Sequence, residues 1–398
     1  MYHKNTTMDI KHNNGYSKLA WPIRIAYDIL NRDRKKCLEH GAEMDIPIED
    51  RFKDIFNEYI EYIKKLKEKI LLSPETIREI KCNLKLITKA CKSYLSGDIK
   101  TSLNCAVKIL DRLKERIVEM PVDMDLFRAR ETSLYHSLNR KEMFHIPYNK
   151  RFLVGNQRYS ISGIPCLYLG QSTYICWEEL GRPNPYTCNF VGVRNQRALR
   201  LLDMTIPQSS SDSKMISIIP IILSCCLYSR KNRVFKQEYI LPQLIMQAII
   251  TRKERVWGIK YLSTSFFYSD FPFVSDSNTL ESDIQKHHNY VFPAIGTENN
   301  DSLSEELVAI FYMTNTFSIW QQQLVDSKEY TPVASKQELD GTINYLDNST
   351  FGQLDRIFNK NKPDSLEQEI TTPLNTILSE ITMCFDNNSA VNGEKPGT

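Results

Sequence analysis

The chain has 398 residues, of which 41% are hydrophobic and 25% charged, with a formal net charge of +3. That length allows two or three domains and a sizeable core. The composition is that of a globular protein, and so small a charge gives no reason to expect a nucleic-acid partner.

Residues 1–20 are polar and read as a disordered start without the apolar core of a signal peptide. From Trp21 to about 121 the pattern is helical. Phe52, Ile55, Phe56, Tyr59, Ile60, Ile63 and Leu66 follow a three-and-four spacing that puts them on one helix face. Ser73-Pro74-Glu75 is a helix start, a capping serine followed by proline at the first helical position. Gly97 and Asp98 mark the next boundary, and Ile99–Met120 reads as a further amphipathic helix. A bundle of about four helices is predicted over residues 21–121.

The texture changes at Pro121-Val122-Asp123. From 122 to about 330, short apolar runs alternate with Gly, Pro, Asn and Ser: LFRAR, GIPCLYLG, ALRLLDM, GIKYLSTS and NYVFPAI read as strands of an α+β unit. The longest apolar run, Met215–Tyr228, has 14 residues and an internal proline. It is too short to span a bilayer and suits buried structure, so no membrane is expected. Phe235–Ile250 reads as a helix with Pro242 near its start. ELVAIFYMTNTFSIW is a closing strand or helix, and 331–398 a polar, loop-rich extension ending in a flexible tail. The ten cysteines are irregularly spaced without a CxxC pair, as in reduced cytoplasmic proteins.

No phosphate-binding GxxxxGK[ST], zinc-binding HExxH or serine-hydrolase GxSxG is present, and no metal is implied. Arg34 and His40 fit the arginine–histidine spacing of HEPN nucleases. So do Arg130 with His136 and Arg140 with His145 in loose form, so the spacing has little weight. More informative is 127–185. Arg128, Arg151 and Arg158, with Tyr148, Tyr159 and Tyr168, all precede Glu178 and Glu179 on a short helix. Guanidinium forks suit pyrophosphate oxygens. Tyrosine faces suit a base or pyridinium ring. A carboxylate stabilises positive charge developing on a ribose carbon. Together they imply cleavage of an N-glycosidic bond in a dinucleotide. The plain alternative is a buried Arg158–Glu179 ion pair that only organises the fold.

The run FRAR … HIPYNKR … RYSISGIPCLYLGQSTYICWEEL … GIKYLSTS … NYVFP resembles the RES domain over about Val122–Pro293, and the helices before it resemble a HEPN-like extension. The resemblance implies an ADP-ribosyltransferase-like fold for 122–330. Known members are largely toxins of bacterial toxin–antitoxin pairs that consume NAD by hydrolysis or phosphorolysis, while some transfer ADP-ribose to a protein. The family's first arginine falls on Arg128 and its second on Arg158, with Tyr159 where many members have tryptophan. Its tyrosine falls on Tyr168, its glutamate on Glu179 and its serine on Ser263, with Ser265 the nearby alternative. The implied roles are Glu179, Arg158 and Ser263 in catalysis, and Arg128, Tyr148, Arg151, Tyr159 and Tyr168 in binding NAD. NAD is then the substrate and no cofactor is required. An antitoxin, or self-association through the helices, is the implied protein partner.

Overall fold

A computed structural model of the chain describes residues 20–40, 45–66, 72–133, 136–207, 212–230, 233–264, 287–296, 303–319, 350–360 and 363. The polar start (1–19), Ser265, most of 331–398 and the expected tail lie outside the described residues.

Four helices come first: α1 (Trp21–Glu39), α2 (Ile48–Lys65), α3 (Pro74–Leu95) and α4 (Ile99–Arg112). The stripe Phe52 to Ile63 on α2 is buried as its spacing predicts. Ser73 caps α3, its hydroxyl accepting from the Thr76 amide at 3.1 Å, and Asp98 caps α4 in the same way. The helix expected over Ile99–Met120 is shorter than its periodicity suggested. It gives way at Leu113 to a 3-10 turn and to β1 (Ile117–Met120), which pairs antiparallel with β5. The correction has a local cause. Arg116 turns inward to donate to the carbonyls of Asp203 and Thr205 and to pair with the Asp203 carboxylate at 3.0 Å, which carries Ile117 onto the sheet.

The rest of the chain alternates in class: β2 (Leu126–Glu131), α5 (Arg140–Met143), β3 (Cys166–Gly170), α6 (Thr173–Glu179), β4 (Cys188–Asn195), β5 (Leu199–Met204), α7 (Ser213–Ser224), α8 (Ile240–Ile250), β6 (Gly258–Leu262) and β7 (His288–Pro293). Then follow α9 (Glu305–Ile310), β8 (Phe311–Met313), β9 (Phe317–Ser318) and α10 (Thr350–Lys360). ELVAIFYMTNTFSIW is thus a helix followed by two short strands. The strands join one mixed sheet in the order β1-β5-β6-β7-β3-β2-β4-β8, with β9 also beside β4. Among the described strands only β5 and β6 run parallel.

Strand alternation divides the apolar side chains between two faces. Leu202, Met204, Ile259, Tyr261 and Val291 point to the first face, where they share one core with α7, α8 and the four N-terminal helices. Every side chain from Ile216 to Ser224 on α7 is buried, because the sheet lies on one side and α1–α3 on the other. Tyr59 and Asn83 reach across from α2 and α3 to the carbonyls of Ile216 and Ser217 (both 3.0 Å). Further along the same face, Phe127, Cys188 and Phe190 pack under α6 and α10. The second face carries Leu167, Leu169, Val191, Val193, Tyr290 and Phe292 beneath α5 and α9.

The two covers of the first face meet over a seam. β2 and β3 pair only at Phe127 and Gly170, whereas β2 with β4 and β3 with β7 are in register over six and five residues. No helix of the described residues is long and apolar enough to cross a membrane.

Candidate functional site

The site is built from strand ends at this seam. Ser172 begins α6 by accepting from the Ile175 amide. Gly170 allows the close approach, since a Cβ there would stand 2.6 Å from Ile175 and 2.7 Å from Cys176. The helix stops in a Schellman arrangement: Gly181, at φ 89°, donates to the Glu178 carbonyl and Arg182 to that of Trp177. Seven residues therefore separate a fixed start from a fixed stop, and the last of them is Glu179.

Glu179 and Glu178 diverge, as a helical step of about 100° requires. Glu178 is buried and takes the Arg182 guanidinium at 2.8 and 2.9 Å together with the Tyr174 hydroxyl. Glu179 turns to the sheet instead. Its Oε1 accepts from Ser263 Oγ, just past the end of β6, and from Asn289 Nδ2 on β7 at 2.8 Å. Among the described residues Oε2 takes no bond, so one oxygen is held and the other is not. The residue keeps solvent-exposed surface. Protein nevertheless encloses the carboxyl closely enough that desolvation raises its pKa, against the lowering effect of the Ser263 and Asn289 bonds and the Arg158 charge.

The expected structural pair between Arg158 and Glu179 is not how either group is bonded. Arg158 donates to the carbonyls of Cys225 (2.8 Å) and Leu227 (3.0 Å) and lies 4.8 Å from the centre of the Tyr239 ring. It is a positive charge fixed by the main chain after α7, within electrostatic range of Glu179.

Arg128 occupies the seam. Its Nη1 donates to the Tyr168 carbonyl at 2.7 Å, where the β2–β3 ladder has stopped, and its Nε is buried without a partner. Burial, with the charge of Arg130 added, brings its pKa down to about 9, so it remains a cation at neutral pH, and among the described residues no carboxylate is bound to it. Arg130 stands two residues on along β2, its pKa also lowered by burial. Opposite Val191 and Asn189 in the ladder, Arg128 and Arg130 leave β2 on the second face, whereas Tyr168 and Asn289 are on the first; two enclosed guanidiniums on one strand form an anion-seeking group.

The other expected residues divide. Tyr168 shares the first face with Val291 and Asn289, and is brought to the cluster. Tyr159 is not: it is 1% exposed and packs on Tyr261 at 4.8 Å within the core. Tyr148 and Arg151 also lie elsewhere. Arg151 stacks on Tyr148 at 4.6 Å and donates to the Gly163 carbonyl, three residues before β3 begins, whereas Glu179 sits by the strand's far end. Sequence reasoning missed Asn289. Its signal was an amide within HNYVFP, since a polar side chain in a buried strand needs a partner. His145 is structural: its Nε2 accepts from the Ser304 amide and its Nδ1 donates to the Ile146 carbonyl, and burial lowers its pKa to about 4.

Comparison with known proteins gives one relative. The chain is similar to a protein of Bacillus subtilis (strain 168) named "Putative toxin YopC". The two are 29% identical over 382 residues, covering 85% of this chain and 81% of that protein. No protein-family profile matches the chain, and no solved structure matches it. Among the described residues no group of three or more His, Cys, Asp and Glu side chains could hold a metal ion.

The carboxylate gives a pH prediction. If Glu179 works ionised, activity falls as pH drops through its pKa, which desolvation raises from the ordinary value. Ser263→Ala removes a bond that lowers this pKa, so the acid limb of the rate profile should move to higher pH. A limb that stays in place in Ser263→Ala would show that another group titrates.

Proposed function

We propose that this chain is an NAD-cleaving enzyme of toxin type, breaking the nicotinamide N-glycosidic bond by hydrolysis or phosphorolysis. The observation that carries the reading is the Glu179 carboxylate, one oxygen held by Ser263 and Asn289 while the other takes no bond among the described residues. The similarity to a protein named as a toxin supports the toxin part. The fold proposed for residues 122–330 is the ADP-ribosyltransferase-like RES arrangement, preceded by a HEPN-like helical region over 21–121. The described cysteines are free thiols, which accords with a reducing cytoplasm.

In this mechanism Arg128, with Arg130 beside it, receives the pyrophosphate, and the Tyr168 face packs on the nicotinamide riboside. Nicotinamide leaves as a neutral molecule, because the electron pair of the broken bond cancels the pyridinium charge. The ribose carbon becomes oxocarbenium-like, and the Glu179 carboxylate stabilises that charge or orients the incoming water or phosphate. Ser263 and Asn289 fix the carboxylate, and the Arg158 charge favours its ionised form. No cofactor is needed, and an antitoxin is the expected protein partner.

Incubating the purified protein with NAD, with and without phosphate, and identifying the products by mass spectrometry tests the reading. Nicotinamide with free ADP-ribose or its phosphorylated form is the expected result. ADP-ribose found on a protein would make it a protein ADP-ribosyltransferase, and intact NAD would leave a binding module. Arg128→Lys keeps the charge but loses the planar fork. It should lower kcat/KM by the equivalent of about 1.5–3 kcal/mol, the worth of a charge-assisted bond. Unchanged steady-state kinetics would remove Arg128 from the pyrophosphate site.

A further inference from the structure

The C-terminal segment was expected to be polar and loop-rich, yet residues 350–360 form α10, which closes on the helix that carries Glu179. Leu354, Ile357 and Phe358 are buried against the sheet (0%, 5% and 3% exposed). The Phe358 ring lies 6.1 Å from that of Phe127, and Arg194 donates to the Asn359 carbonyl at 2.8 Å. The contacts with α6 are more specific. Asp355 Oδ1 accepts from the Thr173 amide at 2.9 Å, and Thr173 Oγ1 donates to the Phe351 carbonyl at 3.0 Å. The Phe351 ring meets Trp177, Tyr174 and Phe190 at 5.2, 5.6 and 6.1 Å.

We infer that α10 is a clamp that sets the position of Glu179, with Asp355 as its positioning residue. A helix of seven residues is too short to be stable alone. Its first-turn amides need acceptors, and Asp355 supplies one from outside, with a negative charge at the positive end of the helix. Ser172 satisfies a second amide from within. Thr173 and Glu179 are the two ends of the same rigid rod. A shift at the Thr173 end therefore moves the carboxylate relative to Ser263 and Asn289, the donors that hold Oε1. Asp355 is bonded to the Thr173 end of the helix and acts on Glu179 through it.

This inference rests on the reading that Glu179 is the reacting carboxylate, and the test separates the two. Asp355→Ala in the full chain should lower kcat for NAD cleavage about tenfold or more, the scale of a small misplacement of reacting groups. KM for NAD should stay within about twofold, since the pyrophosphate contacts are untouched. Because a displaced Glu179 loses hydrogen bonds that favour its ionised form, the acid limb should also move to higher pH. Asp355→Asn keeps an oxygen acceptor in the same place and should restore most of kcat. If Asp355→Ala does not fold, Phe351→Leu, which keeps apolar fill but loses the ring contacts, should show the same split in smaller measure. Unchanged kcat and acid limb in Asp355→Ala, beside a dead Glu179→Gln, would overturn the clamp and leave the reading standing. Equal losses of activity in the Ala and Asn variants, tracking a lower melting temperature, would reduce Asp355 to a structural residue and overturn the clamp as well. A fully active Glu179→Gln protein would sink both.

Discussion

Replacing Glu179 by glutamine should lower the rate of NAD cleavage by roughly a hundredfold or more while NAD binding changes little. Glutamine has nearly the same shape and can still accept from Ser263 and Asn289, which converge on one oxygen. What it lacks is the negative charge facing the ribose, and in an enclosed site that charge is worth more than in water. Glu178→Gln is the internal control, because the Glu178 carboxylate is turned to Arg182 and Tyr174. Its loss should lower the melting temperature, by weakening the turn that ends α6, with turnover changed only a few-fold. Single-turnover measurements with both variants decide the matter. A dead Glu178→Gln beside an active Glu179→Gln would transfer the chemistry to Glu178.

Deleting residues 1–116 should abolish cooperative folding of the remainder, even though the texture of the sequence changes at Pro121. The cause lies in α7 and α8. Their sheet-facing sides would stay covered, but the opposite sides, now under α1–α4, would be bare. Each large apolar side chain returned to water costs about 1.5–3 kcal/mol, so half a dozen are enough to match the ~5–15 kcal/mol that holds an ordinary domain together. The fragment should bind a hydrophobic dye and lack a sharp melting transition. If residues 117–398 instead melt cooperatively and cleave NAD, the unit proposed from 122 onward is autonomous and the helices are an accessory.

The helical stripe on α2, the Ser73 cap and the five quoted strands were legible because each is a local pattern with a local cause. β1 was not. Ile117 and Val118 extend the apolar spacing of α4, and only the pairing of Arg116 with Asp203, 87 residues away, makes them strand. α10 was missed although Phe351, Leu354, Ile357 and Phe358 have helical spacing, because they are set in an otherwise polar stretch. At the site, the arginine–strand–glutamate order pointed to Arg158 and Glu179, and the family resemblance to Arg128 and Tyr168. That order could not tell which tyrosines face the core, because Tyr159 beside Arg158 and Tyr148 beside Arg151 have the same composition as pocket walls. Strand direction decides that: it places Tyr148 near the start of β3 and Glu179 near its end. Asn289 belongs to the site only through the register of β7 against β3.

The strand order has a consequence for how such a protein is made. The acid is supplied at position 179, its donors at 263 and 289, and the helix that braces it ends at 360. The central pairings cross the same span, with β3 bound to β7 and β2 to β4, which in turn holds β8 and β9. Contacts so distant along the chain form late and slowly. A growing polypeptide therefore cannot hold a finished site before Lys360 has been made and has left the ribosome. Translation interrupted within that span releases a fragment without α10, so under the proposed NAD-cleaving function unfinished copies would spare the NAD pool of the cell that makes them.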